Sequence, residues 1–309
     1  MTTDPQPDLK PLHPVLYESA VRSALLEDLG RAGDLTTDAI VARDAQATAW
    51  IVARAAGRIA GLEVALCAFH LLDTRVQSEI RVSDGEDAGA GETVAAARGS
   101  ARAILSAERT VLNFLGRLCG IATATRDLVT AIRPSPAKVV CTRKTTPGLR
   151  ALEKYAVRAG GGANHRFGLD DAVLIKDNHR LIAGSVCEAI RRVRRYVGHM
   201  VKIEAEVETL DQLREALDQG VDAVLLDNMP LEMMAEAVGL AKGKAITEAS
   251  GRITPENAAA VASTGVDLVS VGWITHSAPS LDVALDLQDC GLPIADCGFL
   301  KPLRIADFD

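Results

Sequence analysis

Six short apolar runs recur along the second half of the chain, at about 138–142, 172–175, 201–206, 222–226, 244–248 and 267–271. Each has the length and aliphatic content of a buried strand. Between them the apolar positions change to a helical period. Residues 149–159 place Leu149, Leu152, Tyr155, Ala156 and Ala159 on one face and charges on the other. A second helix starts after Glu208, where Thr209 and Gln212 have capping-box spacing, and stops at Gly220. Thr254 then Pro255 open a third, which stops at Gly265. GVDAVL at 220–225 and GVDLVS at 265–270 lie 45 residues apart, the length of two strand–helix units.

Such alternation predicts a parallel sheet, because each parallel pair needs a crossover helix. A doubly wound sheet and a barrel both satisfy it. A complete barrel takes eight units and roughly 250 residues, and the pattern here occupies about 150, so a barrel would be incomplete. The front of the chain is less regular. Residues 15–28 read as an amphipathic helix stopped by Gly30, 48–56 and 77–83 as strands, and 62–73 as a buried helix between them. Residues 101–132 read as one long helix, with Gly116 or Gly120 as bend points, ended by Ile132-Arg133-Pro134-Ser135-Pro136. The expected organisation is an α/β domain over 1–133 and a second domain over 134–279 that carries the site. Residues 280–309 are expected to pack back on the first.

Charge changes this picture in one place. The chain has 309 residues and a net charge of -7, which argues against broad binding to nucleic acid or membrane surfaces. No run approaches the roughly 20 apolar residues of a membrane span. The proline-rich start, MTTDPQPDLKPLHP, reads as an extended arm and not as a secretory signal. Residues 141–179 run against the acidic background, with seven Lys or Arg plus His165 and His179 against four acids. Arg143 and Lys144 follow one apolar run, Lys176 follows another, and His165-Arg166 come just after Gly160-Gly161-Gly162. Cations so placed point to a pocket for a small, multiply charged anion.

The residues that close the strands extend the argument. They are Arg143-Lys144, Lys176, Glu206, Asp227, Ser250-Gly251 and Gly272. In parallel α/β folds the ligand site lies at the C-terminal ends of the strands, so these positions should converge. The plainer alternative, that strand-end charges merely meet solvent, has to hold six times over. In VKIEAEVE, Lys202, Glu204, Glu206 and Glu208 share one face, expected to turn into the cleft with Lys144 and Lys176 balancing its charge. A solvated edge strand is the alternative. Ser250-Gly251 and Ser270-Val271-Gly272 are glycine loops of the kind that admit a phosphate close to backbone N–H groups. The triple glycine fits no nucleotide-binding fingerprint and reads as a lid hinge or a plain loop. Glu206 and Asp227 suit Mg²⁺ held through water and substrate phosphates. Lys176 alone would also suit a Schiff base. His13, His70 and His199 show no ligand spacing, and no motif argues for a structural metal. Cys67, Cys119, Cys141, Cys187, Cys290 and Cys297 form no C-x-x-C pair, so free thiols in the cytoplasm are expected.

The stretch TRKTTPGLRALEKYAVRAGGGANHRFGLDDAVLIKDNH resembles the quinolinate phosphoribosyltransferases, the carboxylating nicotinate-nucleotide pyrophosphorylases. LLEDLGRAGDLTTDAI, AEVE, LLDN, EASGRIT and VGWITHSAPSLDVALDL extend the likeness over nearly the whole chain. The resemblance implies an N-terminal α/β sandwich followed by an incomplete (open) α/β barrel of TIM type. It implies that quinolinate and phosphoribosyl pyrophosphate give nicotinate mononucleotide, pyrophosphate and CO₂, with Mg²⁺, in NAD biosynthesis. It gives Thr142, Arg143, Lys144, His165, Arg166 and Lys176 to the quinolinate carboxylates, and Glu206 and Asp227 to the ribose and its metal. It gives Ser250, Gly251, Arg252, Val271, Gly272 and His276 to the ribosyl phosphate. Lys144, Lys176, Glu206 and Asp227 would be the catalytic set, with Lys144 protonating the ring carbon after CO₂ loss. Arg109 would enter the site from the partner of a homodimer, and a hexamer is compatible. Arg252 and Cys119 depart from the residues common in the family. A paralogue associated with molybdenum uptake that acts on another phosphoribosyl acceptor, a Schiff-base lyase using Lys176, and a non-catalytic anion-binding protein are the competing readings.

Overall fold

The structure is a computed structural model and describes residues 9–287. The expectations for the first eight residues and for the tail from 288 onward, with Cys290 and Cys297, lie outside them. In chain order the first elements are α1 (Glu18–Leu29), α2 (Leu35–Ile40), β1 (Gln46–Ala53), β2 (Gly57–Arg58), α3 (Leu62–Leu72), β3 (Gln77–Ile80), β4 (Asp87–Ala88), β5 (Thr93–Ser100) and α4 (Ala101–Ala131). Then come β6 (Lys138–Val140), α5 (Arg150–Ala159), β7 (Val173–Ile175), α6 (Asp177–Ala183), α7 (Val186–Tyr196), β8 (Ile203–Val207) and α8 (Leu210–Asp218). The last are β9 (Ala223–Asp227), α9 (Leu231–Ala241), β10 (Ile246–Ser250), α10 (Pro255–Ser263), β11 (Leu268–Ser270), α11 (Trp273–His276) and β12 (Val283–Leu287). The chain divides into two compact units that interleave along the sequence, where a single cut near residue 133 does not. The first unit takes the chain up to Ala124, Thr146–Gly161 and the segment from Ala278; the second takes Thr125–Thr145 and Gly162–Ser277.

The first unit is built on an antiparallel sheet in the order β12-β1-β5-β3. The returning segment thus supplies an edge strand, with Ala49 opposite Leu287 and Ala53 opposite Val283. Strand β5 escapes sequence reading because Ala95-Ala96-Ala97 carries no β-former, yet all three are fully buried. Helix α4 is one helix of 31 residues. Its two glycines serve close approach: a Cβ on Gly120 would collide with the Pro279 carbonyl, and one on Gly116 would come within 2.9 Å of the Leu281 carbonyl.

The second unit is a six-stranded parallel sheet in the order β6-β11-β10-β9-β8-β7. Among the described residues the end strands β6 and β7 do not pair with each other, so the sheet stays open as the short repeat count required. The period of two sorts its side chains. Val139, Ala205, Val224, Leu226, Ala249 and Val269 are at most 1% exposed, on the face that α8, α9 and α10 cover with Leu213, Met234, Ala237, Ala258 and Val261. Glu204, Glu206, Leu225, Asp227, Glu248, Ser250 and Ser270 take the alternate positions. The helix starts are as expected: the Thr209 hydroxyl accepts from the Gln212 N–H, and the Asn257 side chain accepts from the Thr254 N–H.

Candidate active site

The second unit holds a cleft of about 770 Å³ at the C-terminal ends of the parallel strands. Thr142, Arg143 and Lys144 reach it just past β6, and Lys176 just past β7. Glu206 comes from β8, Asp227 from the end of β9, and Ser250, Gly251 and Arg252 from the end of β10. Val271, Gly272 and His276 come from beyond β11, and His165 and Arg166 from the loop before β7. Every residue singled out in the sequence lines this cleft except Arg109, which is exposed on α4 in the first unit. Four of the seven cations in the basic stretch converge here; Arg150, Lys154 and Arg158 lie on α5 in the first unit.

The backbone of the phosphate-type loops is specialised. Gly251 has a φ of 101°, and a Cβ there would collide with the Asn228 side chain. Asn228 and Arg252 adopt φ of 52° and 48°, a left-handed conformation that costs a non-glycine residue about 1–3 kcal/mol. The Asn228 N–H donates to the Ser250 carbonyl at 3.0 Å, and its side-chain amide donates to Asp227 at 2.8 Å. The β9 and β10 loops are therefore locked together with Asp227 between them. A second cavity of about 520 Å³ is lined by the same two loops.

The electrostatics divide the cleft into two regions. On one side Arg143 and Arg166 stand close enough for like charge to matter. Burial, then the charge of Arg143, pulls the Arg166 guanidinium below its ordinary pKa. One Arg166 nitrogen donates to the Ala172 carbonyl at 3.0 Å, while the buried Nε of Arg143 has no acceptor. On the other side burial, then the charge of Asp227, raises the pKa of Glu206, against a backbone hydrogen bond from Asp177 and the charge of Lys176. A cationic region that lacks an acceptor and an anionic region that lacks a counter-ion fit an anion and a developing cation, respectively.

The charged face of β8 is balanced differently from expectation. Lys202 pairs with Asp222 at 2.5 Å and Glu208 with Arg180 at 3.0 Å, outside the cleft, because a five-residue strand carries its ends away from the site. Glu204 is answered by His165, whose Nε2 lies 2.8 Å away, and only Glu206 faces Lys176. Beneath them lies Glu248, which the sequence reading missed although it shares the β10 face of Ser250. Its carboxyl is 2% exposed and 3.6 Å from His165 Nε2. Burial, then the charge of Glu204, pushes its pKa up to about 7, opposed by His165 and a Ser270 hydroxyl. A carboxyl whose folded pKa is raised favours the fold fully below its unfolded value near 4.5, and that contribution fades as pH rises through about 7. Glu248→Gln has no charge to bury. Its melting temperature relative to the parent is expected to rise between pH 5 and pH 8, as thermal melts across that range would test.

A family profile described as "Quinolinate phosphoribosyl transferase, C-terminal domain" matches residues 121–286, and its N-terminal counterpart matches residues 34–119. The chain belongs to the quinolinate phosphoribosyltransferase family. The probable nicotinate-nucleotide pyrophosphorylase [carboxylating] of Bacillus subtilis (strain 168) is 46% identical over 276 residues, which span 89% of this chain and 95% of that one. The nicotinate-nucleotide pyrophosphorylase [carboxylating] of Mycobacterium leprae (strain TN) is 45% identical over 274 residues, 86% of this chain and 95% of that one. The crystal structure of NadC from Streptococcus pyogenes superimposes with a TM-score of 0.87 at 41% identity, covering 91% of this chain and all of that one. The two-part architecture, an antiparallel sheet unit and a parallel α/β unit, is that of the quinolinate phosphoribosyltransferase family. Among the described residues no helix is long and apolar enough to cross a membrane, and Cys67, Cys119, Cys141 and Cys187 are free thiols.

Proposed function

We propose that the cleft of the second unit carries out the reaction of the quinolinate phosphoribosyltransferase family with the residues that line it. In that reaction quinolinate takes the phosphoribosyl group of phosphoribosyl pyrophosphate and loses CO₂, giving nicotinate mononucleotide for NAD biosynthesis. The observation that carries the assignment of roles is the division of one cleft into a cationic and an anionic region.

Arg143, Lys144, Arg166 and Lys176 hold the two carboxylates of quinolinate, and the unfilled Arg143 Nε takes an acceptor there. The glycine loops at Ser250-Gly251-Arg252 and Val271-Gly272, with His276, receive the ribosyl phosphate on backbone N–H groups and positive charge. Departure of pyrophosphate leaves positive charge on the ribose ring, and Glu206 and Asp227 stabilise it as it develops. The clamp holds the pyridine nitrogen in line with the anomeric carbon. The alkylated ring is cationic, so it accepts the electron pair of the breaking C–CO₂ bond. A proton then goes to the ring carbon, and Lys144 is our candidate donor. Glu206 and Asp227, two carboxylates with partial neutralisation, are a hard-oxygen donor set that fits Mg²⁺ through water. The ion supplies charge neutralisation for the leaving pyrophosphate when bound. The reading also takes a homodimer in which Arg109 completes the partner's clamp, and a cytoplasmic setting in keeping with the free thiols.

Purified protein with phosphoribosyl pyrophosphate and Mg²⁺ should form nicotinate mononucleotide from quinolinate and leave nicotinic acid and nicotinamide unchanged. Turnover of nicotinic acid in place of quinolinate would overturn the two-carboxylate clamp.

A further inference from the structure

His165 stands among the cations of the cleft, yet its ring is already spoken for. Its Nδ1 accepts the backbone N–H of Arg166 at 2.7 Å. Its Nε2 meets Glu204 Oε2 at 2.8 Å, with Glu248 Oε1 at 3.6 Å. A carboxylate oxygen accepts, so Nε2 carries the proton. An N–H cannot donate to a protonated nitrogen, so Nδ1 carries none. These two contacts together fix the neutral Nε2–H tautomer. A neutral ring whose one proton is committed to a buried carboxylate has nothing left to give a substrate anion.

Resting on the reading above, we propose that His165 is a positioning residue that aims Arg166 at quinolinate, and is not itself a carboxylate ligand. The mechanism is local. Glu204 of β8, with Glu248 of β10 behind it, anchors the ring on the strand floor. Ring Nδ1 then fixes the peptide N–H from which the Arg166 side chain departs. The far end of Arg166 is tied by the Ala172 carbonyl at 3.0 Å. Arg166 is thereby held at both ends beside Arg143, a geometry that like-charge repulsion would otherwise open. Other groups facing the ring region are the Ser270 hydroxyl, which bonds Glu248, and the apolar Leu174 and Leu225.

The test has a spectroscopic and a kinetic arm. In protein labelled with ¹⁵N-histidine, the His165 resonances, assigned by their loss in His165→Gln, should report one protonated nitrogen near neutral pH. Saturating quinolinate should leave them so; an imidazolium in the quinolinate complex would overturn the proposal. Kinetically, His165→Ala should raise KM for quinolinate about tenfold, the worth of one hydrogen bond to a charged group. Its kcat and its KM for phosphoribosyl pyrophosphate should stay within about twofold of the parent. His165→Gln keeps a donor for Glu204 and should recover most of the loss. If His165 acted as a cation, Gln would serve no better than Ala, and that result also overturns the proposal. Failure of the parent protein to turn over quinolinate would instead sink the functional reading, and the spectra of the free protein would still decide the tautomer.

Discussion

Asp227→Asn and Glu206→Gln are each expected to lower kcat by about a hundred- to a thousandfold, with KM for quinolinate little changed. Both substitutions keep shape and remove charge, so they test the charge alone. The two carboxylates are coupled, since Asp227 raises the pKa of Glu206. Neutralising Asp227 therefore lets Glu206 ionise more readily and hold part of the site's negative potential. The double variant should consequently lose less than the product of the single losses if either carboxylate alone sustains some catalysis. Single-turnover measurement of nicotinate mononucleotide formation separates this step from product release. Losses below about threefold in both singles would remove these residues from the transition state.

Arg143→Met is the second large effect. Replacing the guanidinium with an uncharged side chain should cut kcat/KM for quinolinate by about a hundredfold or more, the size seen when one partner of a buried charge pair is truncated. KM for phosphoribosyl pyrophosphate should hold. The free protein should not be destabilised, because Arg143 Nε has no acceptor to lose and its charge bears on Arg166. Gain of thermal stability with loss of quinolinate affinity would mark the repulsion as stored for binding. A fall in stability with unchanged quinolinate kinetics would place Arg143 in the scaffold.

The parallel sheet was legible because its strands are buried on both faces and read as apolar runs. All six were located within a few residues, as Lys138–Val140 and Ala223–Asp227 illustrate. The convergence of Lys176, Asp227 and Gly272 in one cleft followed from the same rule about strand ends. The first sheet was harder. Strand β5 hides in an alanine run, and β12 lies 230 residues from the strand it pairs with, beyond any local signal. Glu248 was missed because EAS reads as a strand end, and only its depth shows that a charge sits on the floor. The engagement of both His165 nitrogens depends on Glu204 and on a backbone N–H. Neither spacing nor composition records that.

The seating of β12 against β1 also bears on how the chain is made. Synthesis proceeds at roughly 5–20 residues per second, so β1 waits on the order of ten seconds or more for the strand that covers its edge. Through that interval a nascent hairpin edge of Trp50, Ile51 and Val52 is bare, the arrangement most prone to pairing with a neighbouring chain. Crowded polysomes would then be the place where this protein is lost. Slower initiation, which spaces the ribosomes, should raise the yield of soluble product more than slower elongation.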